Sequence, residues 1–273
     1  MLDLDLHSLD LPRLGMMLFA AATWGAAGLA MAECVAISRS RPDRRGALLS
    51  AIRRSRGWTV LLVVAQLAVL GIALALPQSG NLQGIALVYL VGALMLPMLW
   101  GAGCVQQQVL GWPLTPAGWL RRYGGRVFAG FLLAGMALSA FMLLVTPVAP
   151  GESVEALLPA EESARLTALI MALWLLVNAP WMEELIFRHY LLPRFTLWFG
   201  GGQAACVAAV IVTAAVFAIG HAGHLQPAWP KLIQTFGWGV LFGTARVWFG
   251  TGWAVALHLA LNLSSIVFVP FFT

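Results

Sequence analysis

The sequence predicts an all-α fold, a polytopic membrane bundle of about eight transmembrane helices, and three observations lead there. Of the 273 residues, 60% are hydrophobic and only 10% are charged, against roughly 25% charged in a soluble domain. The charged residues cluster between apolar runs, each long enough for the roughly 20 residues that a spanning helix needs. Those runs are continuously apolar, where a membrane β-barrel would alternate. Eight such helices use about two-thirds of the chain. No soluble domain fits beside them, so residues 1–273 read as a single transmembrane domain, and any chemistry lies in the membrane or at its edge.

In order, the runs fall at about 14–38, 58–77, 84–104, 127–148, 166–190, 204–222, 232–249 and 252–271. The Arg-rich segment 39–56 separates the first two, and Arg121, Arg122 and Arg126 precede the fourth. An acidic loop with Glu152, Glu155, Glu161 and Glu162 precedes the fifth, Gly200 to Gly202 the sixth, and a loop from Gly223 to Pro230 the seventh. Cys34, Cys104 and Cys206 stand singly in three different runs, with no CxxC spacing. They read as small buried hydrophobes.

The formal charge of +5, with a pI near 9.7, comes from topology and not from a nucleic-acid partner. One set of segments holds thirteen arginines: Arg39, Arg41, Arg44, Arg45, Arg53, Arg54, Arg56, Arg121, Arg122, Arg126, Arg188, Arg194 and Arg246. The other holds only Arg13, Arg165 and Lys231, along with the acidic loop. Because Lys and Arg are retained on the cytoplasmic side, both termini are expected outside, in a bacterial inner (plasma) membrane. The start carries Asp3, Asp5 and Asp10 and no Lys or Arg before Arg13. That is the reverse of a secretory signal, so no cleaved signal peptide is expected.

Ionisable groups inside spanning helices cost several kcal/mol and are rare unless something requires them. Here they gather late in the chain. The fifth run contains Asn178-Ala179-Pro180-Trp181-Met182-Glu183-Glu184-Leu185-Ile186-Phe187-Arg188. Adjacent helical residues point about 100° apart, so the two carboxylates cannot share one task. Glu184 precedes Arg188 by four residues, the favourable order for an intrahelical ion pair. Glu183 then has no partner in its own helix, and a carboxylate so placed in a dry site can serve as general base or acid. The sixth run ends on His221. The eighth places His258 and Asn262 one turn apart on a single face, where two hydrogen-bond donors can aim at one oxyanion. Glu183 and His221 meet only if the fifth helix runs past Arg188 to about Pro193 and the sixth begins after Gly200-Gly201-Gly202. The structural alternative for these groups is a polar network joining helices.

The ordered set EExxxR (Glu183, Glu184, Arg188), FxxxH (Phe217, His221) and HxxxN (His258, Asn262) resembles the CPBP or Abi family of intramembrane proteases, relatives of the Ras-converting CAAX endopeptidase. The motif region covers about 178–263. The resemblance implies an eight-helix bundle with a water-filled cavity and an endopeptidase that cuts within or beside the membrane. It implies that Glu183 is the base activating water, His221 its partner, and His258 with Asn262 the oxyanion donors, with Glu184, Arg188 and Phe217 supporting. Many members carry Gly directly after the motif Arg; this chain has His189, which is expected at the membrane edge, as His224 is in its loop.

The expected activity is therefore glutamic-type endopeptidase action on a membrane-associated peptide or protein, with the bilayer as the other partner and no nucleic acid. Zinc is the cofactor alternative, held by Glu183, His221 and His258 with an open position. Against it, a zinc-bound His cannot offer the same nitrogen to an oxyanion. Two rival functions use the same residues. A proton-coupled transporter would need them as a relay, but the inverted repeats common to transporters are not found. A catalytically silent scaffold would need only helix packing, for which Gly239 and Gly243 have the small-xxx-small spacing.

Overall fold

In the computed structural model the described residues, 11–75, 80–145, 176–221 and 228–268, form eight helices and no strand. They are α1 (Leu11–Ser38), α2 (Pro42–Ala75), α3 (Gly80–Leu110), α4 (Ala117–Val145), α5 (176–198), α6 (Gln203–Gly220), α7 (Ala228–Phe249) and α8 (Thr251–Phe268). The polytopic helical bundle is thus the observed architecture. Five helices, α1 to α4 and α6, contain stretches long and apolar enough to cross a membrane. The three outside that set carry most of the polar residues of interest. The acidic loop, Arg165 and His224 lie outside the described residues.

The Arg-rich segment expected as a loop is instead the first half of α2. Pro42 starts the helix and Asp43 sits in its first turn, both favoured at a helix N-terminus, and arginine is a good helix former. Hydropathy registers only the part of a helix that lies in lipid. The topology count also needs correction, because Arg188 and Arg246 are wholly buried in the bundle and are not loop charges. Eleven of the thirteen arginines remain on that side.

Helix α5 is the centre. It packs against α1, α3, α6, α7 and α8, and every residue from Glu184 to Leu191 is buried. By contrast, α2 lies along α3 and turns Trp58, Val60, Leu61 and Val64 outward. The Glu184–Leu191 stretch is π-helical, and the Leu192 N–H donates to the Phe187 carbonyl five residues back. Pro193 gives the reason for the widened turn. Its ring lacks an N–H and would clash with the His189 carbonyl in a regular α-helix. The orphaned carbonyl accepts instead from Gln107 Nε2 of α3 at 3.3 Å. Gly103 permits that approach, since a Cβ there would lie 2.5 Å from the same carbonyl oxygen. On the opposite side α7 meets α6 through its small residues: a Cβ at Gly239 would lie 2.9 Å from Ala214 Cα, and one at Gly243 would lie 3.0 Å from Val210.

Helix α5 runs on to Trp198, and α6 begins at Gln203 after the turn through Gly200 and Gly201. This is the continuation that the depth argument required. It lets the end of α6 return to the level of Glu183.

Candidate active site

Three helices converge on one buried polar centre. Glu183 and Glu184 project from the start of the π-helical stretch and are 6% and 0% exposed. The Arg188 guanidinium lies 3.2 Å from Glu184 Oε1, so the expected intrahelical pair is present. Three aromatic rings surround the cation, with the Phe217 centroid 4.2 Å away and Phe242 and Phe187 at 5.4 and 5.7 Å. The guanidinium has no exposed surface, and the ring faces add to its attraction.

From α8, His258 is stacked on Phe242 and meets Phe217 edge-on. Its Nδ1 is 2.9 Å from Glu184 Oε1, so one carboxylate oxygen joins Arg188 to His258. As Nδ1 donates to Glu184, Nε2 is directed to Glu183 Oε2 at 3.7 Å. Glu184 thereby fixes the imidazole in the orientation that presents Nε2 to the second carboxylate. The other oxygen of Glu183 receives the phenol of Tyr89, from α3, at 3.4 Å.

Five of the motif residues, Glu183, Glu184, Arg188, Phe217 and His258, are therefore in contact. His221 is one ring away. Its Nδ1 donates to the Phe217 carbonyl at 2.8 Å at the end of α6, and its ring lies against Phe217 at 4.5 Å and edge-on to Phe19 of α1. Asn262 follows His258 by one turn on the same face and is half-buried. Glu183 and His258 adjoin, but among the described residues no group of three or more His, Cys, Asp or Glu side chains is placed to hold a metal.

His189 corrects the expectation of an exposed edge residue, being 1% exposed. Its ring stacks on Trp100 with centroids 4.3 Å apart. Nδ1 faces Thr251 Oγ1 at 2.8 Å and Gln107 Nε2 at 3.2 Å, and Nε2 faces the Trp100 carbonyl at 3.1 Å. A ring nitrogen facing a carbonyl must donate, so the proton is on Nε2 and Nδ1 accepts. Position 189 is filled by a ring that ties α3 to α8.

Sequence reasoning missed Tyr89, which no motif contains, and Glu33. The latter accepts from Gln106 Nε2 at 2.7 Å and Tyr190 at 3.2 Å, and pairs with Arg194 at 3.3 Å. Glu33 is the one acidic residue of the first apolar run, and that rarity was the available signal. The three cysteines are half-buried and unbonded to one another.

A carboxylate pair bound to an imidazole and a guanidinium inside a membrane bundle defines a class, the polytopic proteins with an ionisable centre sealed from bulk water. The sequence comparison goes further. Residues 165–264 match the family described as Rce1-like, the type II CAAX prenyl endopeptidases. Over that stretch the chain is similar to the CAAX-protease (CPBP) family of membrane endopeptidases, the resemblance that the three motifs carry. No curated protein and no solved structure matches it.

Proposed function

We propose that the chain is an intramembrane endopeptidase in which Glu183 activates the attacking water. The observation that carries this reading is the division of labour between the adjacent carboxylates. Glu184 is bound to Arg188 and His258. Glu183 has only the longer contacts to Tyr89 and His258, and so has lone pairs left for water.

Glu183, with His221 as partner, takes a proton from water as its oxygen attacks the peptide carbonyl carbon. Asn262 and His258 donate to the oxyanion that forms. Because His258 Nδ1–H is turned to Glu184, Nε2 donates only when the ring carries both protons. The proton held by Glu183 then passes to the leaving amine, completing hydrolysis. No metal takes part. The substrate is a peptide or protein brought to the site by a membrane anchor or hydrophobic tail. The termini lie outside the plasma membrane, with the start of α2 in the cytoplasm.

The test is purified protein reconstituted in vesicles with fluorogenic hydrophobic peptides. Cleavage should occur, should be unchanged by a chelator and should be lost in Glu183→Gln. Asn262→Ala should lower turnover by no more than about 10²–10³-fold with substrate affinity retained. Abolition by the chelator with restoration by zinc would overturn the metal-free mechanism. Proton-coupled transport without cleavage would overturn the protease reading.

A further inference from the structure

A cavity of about 470 Å³ lies between α2, α3 and α5 and reaches the first residue of α8. Its walls include Leu62, Leu96, Met182 and Leu185, and Arg54 and Trp58 stand at its α2 side. Trp58 stacks on Trp181 across the cleft with ring centroids 5.6 Å apart, yet is 55% exposed. The tryptophan is thus both a wall and the mouth. Leu61 and Val64 beside it also face outward, so the opening is lateral, toward lipid.

Depth along α2 places the charge. From Trp58 to Ala75 the helix rises about 27 Å, close to the thickness of a hydrocarbon core. Arg54, one turn before Trp58, therefore falls at headgroup level on the Arg-rich side. Arg53 and Arg56 share that turn, and none of the three has an ion-pair partner among the described residues. The one acidic residue of α2, Asp43, is about three turns away. A transmembrane helix fills roughly 400–600 Å³ in every turn, so the cavity holds at most one turn of one. A single hydrocarbon chain suits that volume and the apolar walls.

We propose that this cleft is a binding site for an anionic phospholipid, its phosphate on Arg54 and one acyl chain lying against Leu62, Leu96, Met182 and Leu185. Charge complementarity selects the occupant: the rim offers uncompensated guanidinium at the phosphate layer, and the interior is mainly apolar, with Ser55, Cys104 and Thr251 as its polar lining. The site is distinct from the Glu183 centre but shares helix α5 with it, because Met182 and Leu185 flank the carboxylate pair.

The experiment uses full-length protein in phosphatidylcholine vesicles containing a small fraction of acyl-brominated phosphatidylglycerol or, for comparison, acyl-brominated phosphatidylcholine. Quenching is read as the difference between wild type and Trp58→Phe, which isolates the Trp58 signal. Brominated phosphatidylglycerol should quench at the lower mole fraction. Arg54→Gln should weaken that preference by about fivefold, the equivalent of about 1 kcal/mol for one basic residue at the surface. Arg54→Lys should keep it, and Arg44→Gln, more than two turns farther out, should leave it intact. Equal quenching by the two lipids in wild type, or a preference that survives Arg54→Gln, would overturn the proposal. So would relief of quenching by inorganic phosphate alone, which would mean a headgroup site with no seated chain. Displacement by a hydrophobic peptide with no dependence on Arg54 would assign the cleft to peptide instead. None of these readouts requires the protein to be a protease.

Discussion

The π-helical stretch of α5 builds two polar clusters, and they differ in how completely their hydrogen-bonding capacity is used. At its C-terminal end, His189 has both ring nitrogens engaged and its face covered by Trp100, while Tyr190, Gln106 and Arg194 close on Glu33 and leave Gln106 Oε1 and Arg194 Nε without a partner among the described residues. At its N-terminal end, Glu183 makes only contacts of 3.4 and 3.7 Å, and Glu184 Oε2 has no hydrogen-bond partner among the described residues. A buried polar group is costly unless satisfied. The closed cluster is therefore what a structural tie looks like, and the open one has capacity left for water and substrate. Burial alone does not separate them, since both lie in the core.

Substitutions at the two ends should separate stability from chemistry. The largest effect expected is on turnover. Glu183→Gln keeps the shape but removes the proton acceptor, so cleavage of a fluorogenic peptide should fall by about 10²–10⁴-fold at an unchanged unfolding midpoint. Full activity in folded protein would remove Glu183 from the chemistry. Glu184→Gln comes next, and its effect is on folding. It strands the buried Arg188 and should cost about 3–5 kcal/mol, visible as a lower yield and a lower thermal midpoint in detergent. Wild-type values would show that the aromatic rings alone hold the cation.

At the closed end, His189→Ala removes the ring's contacts with Thr251 and the Trp100 carbonyl and one of the two made by Gln107. It should cost about 1–3 kcal/mol in thermal unfolding, with cleavage per folded molecule unchanged. Loss of turnover at full stability would put His189 in the reaction and dissolve the contrast between the clusters. The smallest effect is expected from Tyr89→Phe, which removes one long hydrogen bond to Glu183. Turnover should drop by no more than about tenfold, the equivalent of roughly 1.4 kcal/mol, with stability retained. A drop as large as that of Glu183→Gln would make the phenol a direct participant.

Much of this architecture was legible because lipid imposes a simple rule. Apolar runs gave each of the eight helices seen among the described residues, and the i,i+4 spacing gave the Glu184–Arg188 pair. Boundaries failed where a helix leaves the bilayer, as α2 does before Trp58, because hydropathy carries no information about helix in water. His189 was misplaced for a related reason: a histidine next to a charged residue at the end of an apolar run looks like an interface. Only the Pro193 break and the approach of α3 at Gly103 show that the helix continues and closes over the ring. Tyr89 was invisible because its partner lies 94 residues away. The contact between Glu184 and His258 spans 74 residues and was approached only through the grouping of polar residues on late helices.

The wide turn in α5 makes the length of this segment as binding as its composition. An α-helix advances about 100° per residue, and a π turn absorbs one residue more than an α turn does. The stretch therefore acts as a phase setting between the residues before Leu185 and those after Phe187. Closing that stretch to an ordinary helix without removing a residue would leave every side chain chemically intact. The half that carries His189 and Tyr190 would then be rotated by about 100° against the half that carries Glu183 and Glu184. Either Thr251 and Glu33 would keep their partners or His258 would, but not both, so the wide turn itself sets which partners the two halves can reach together.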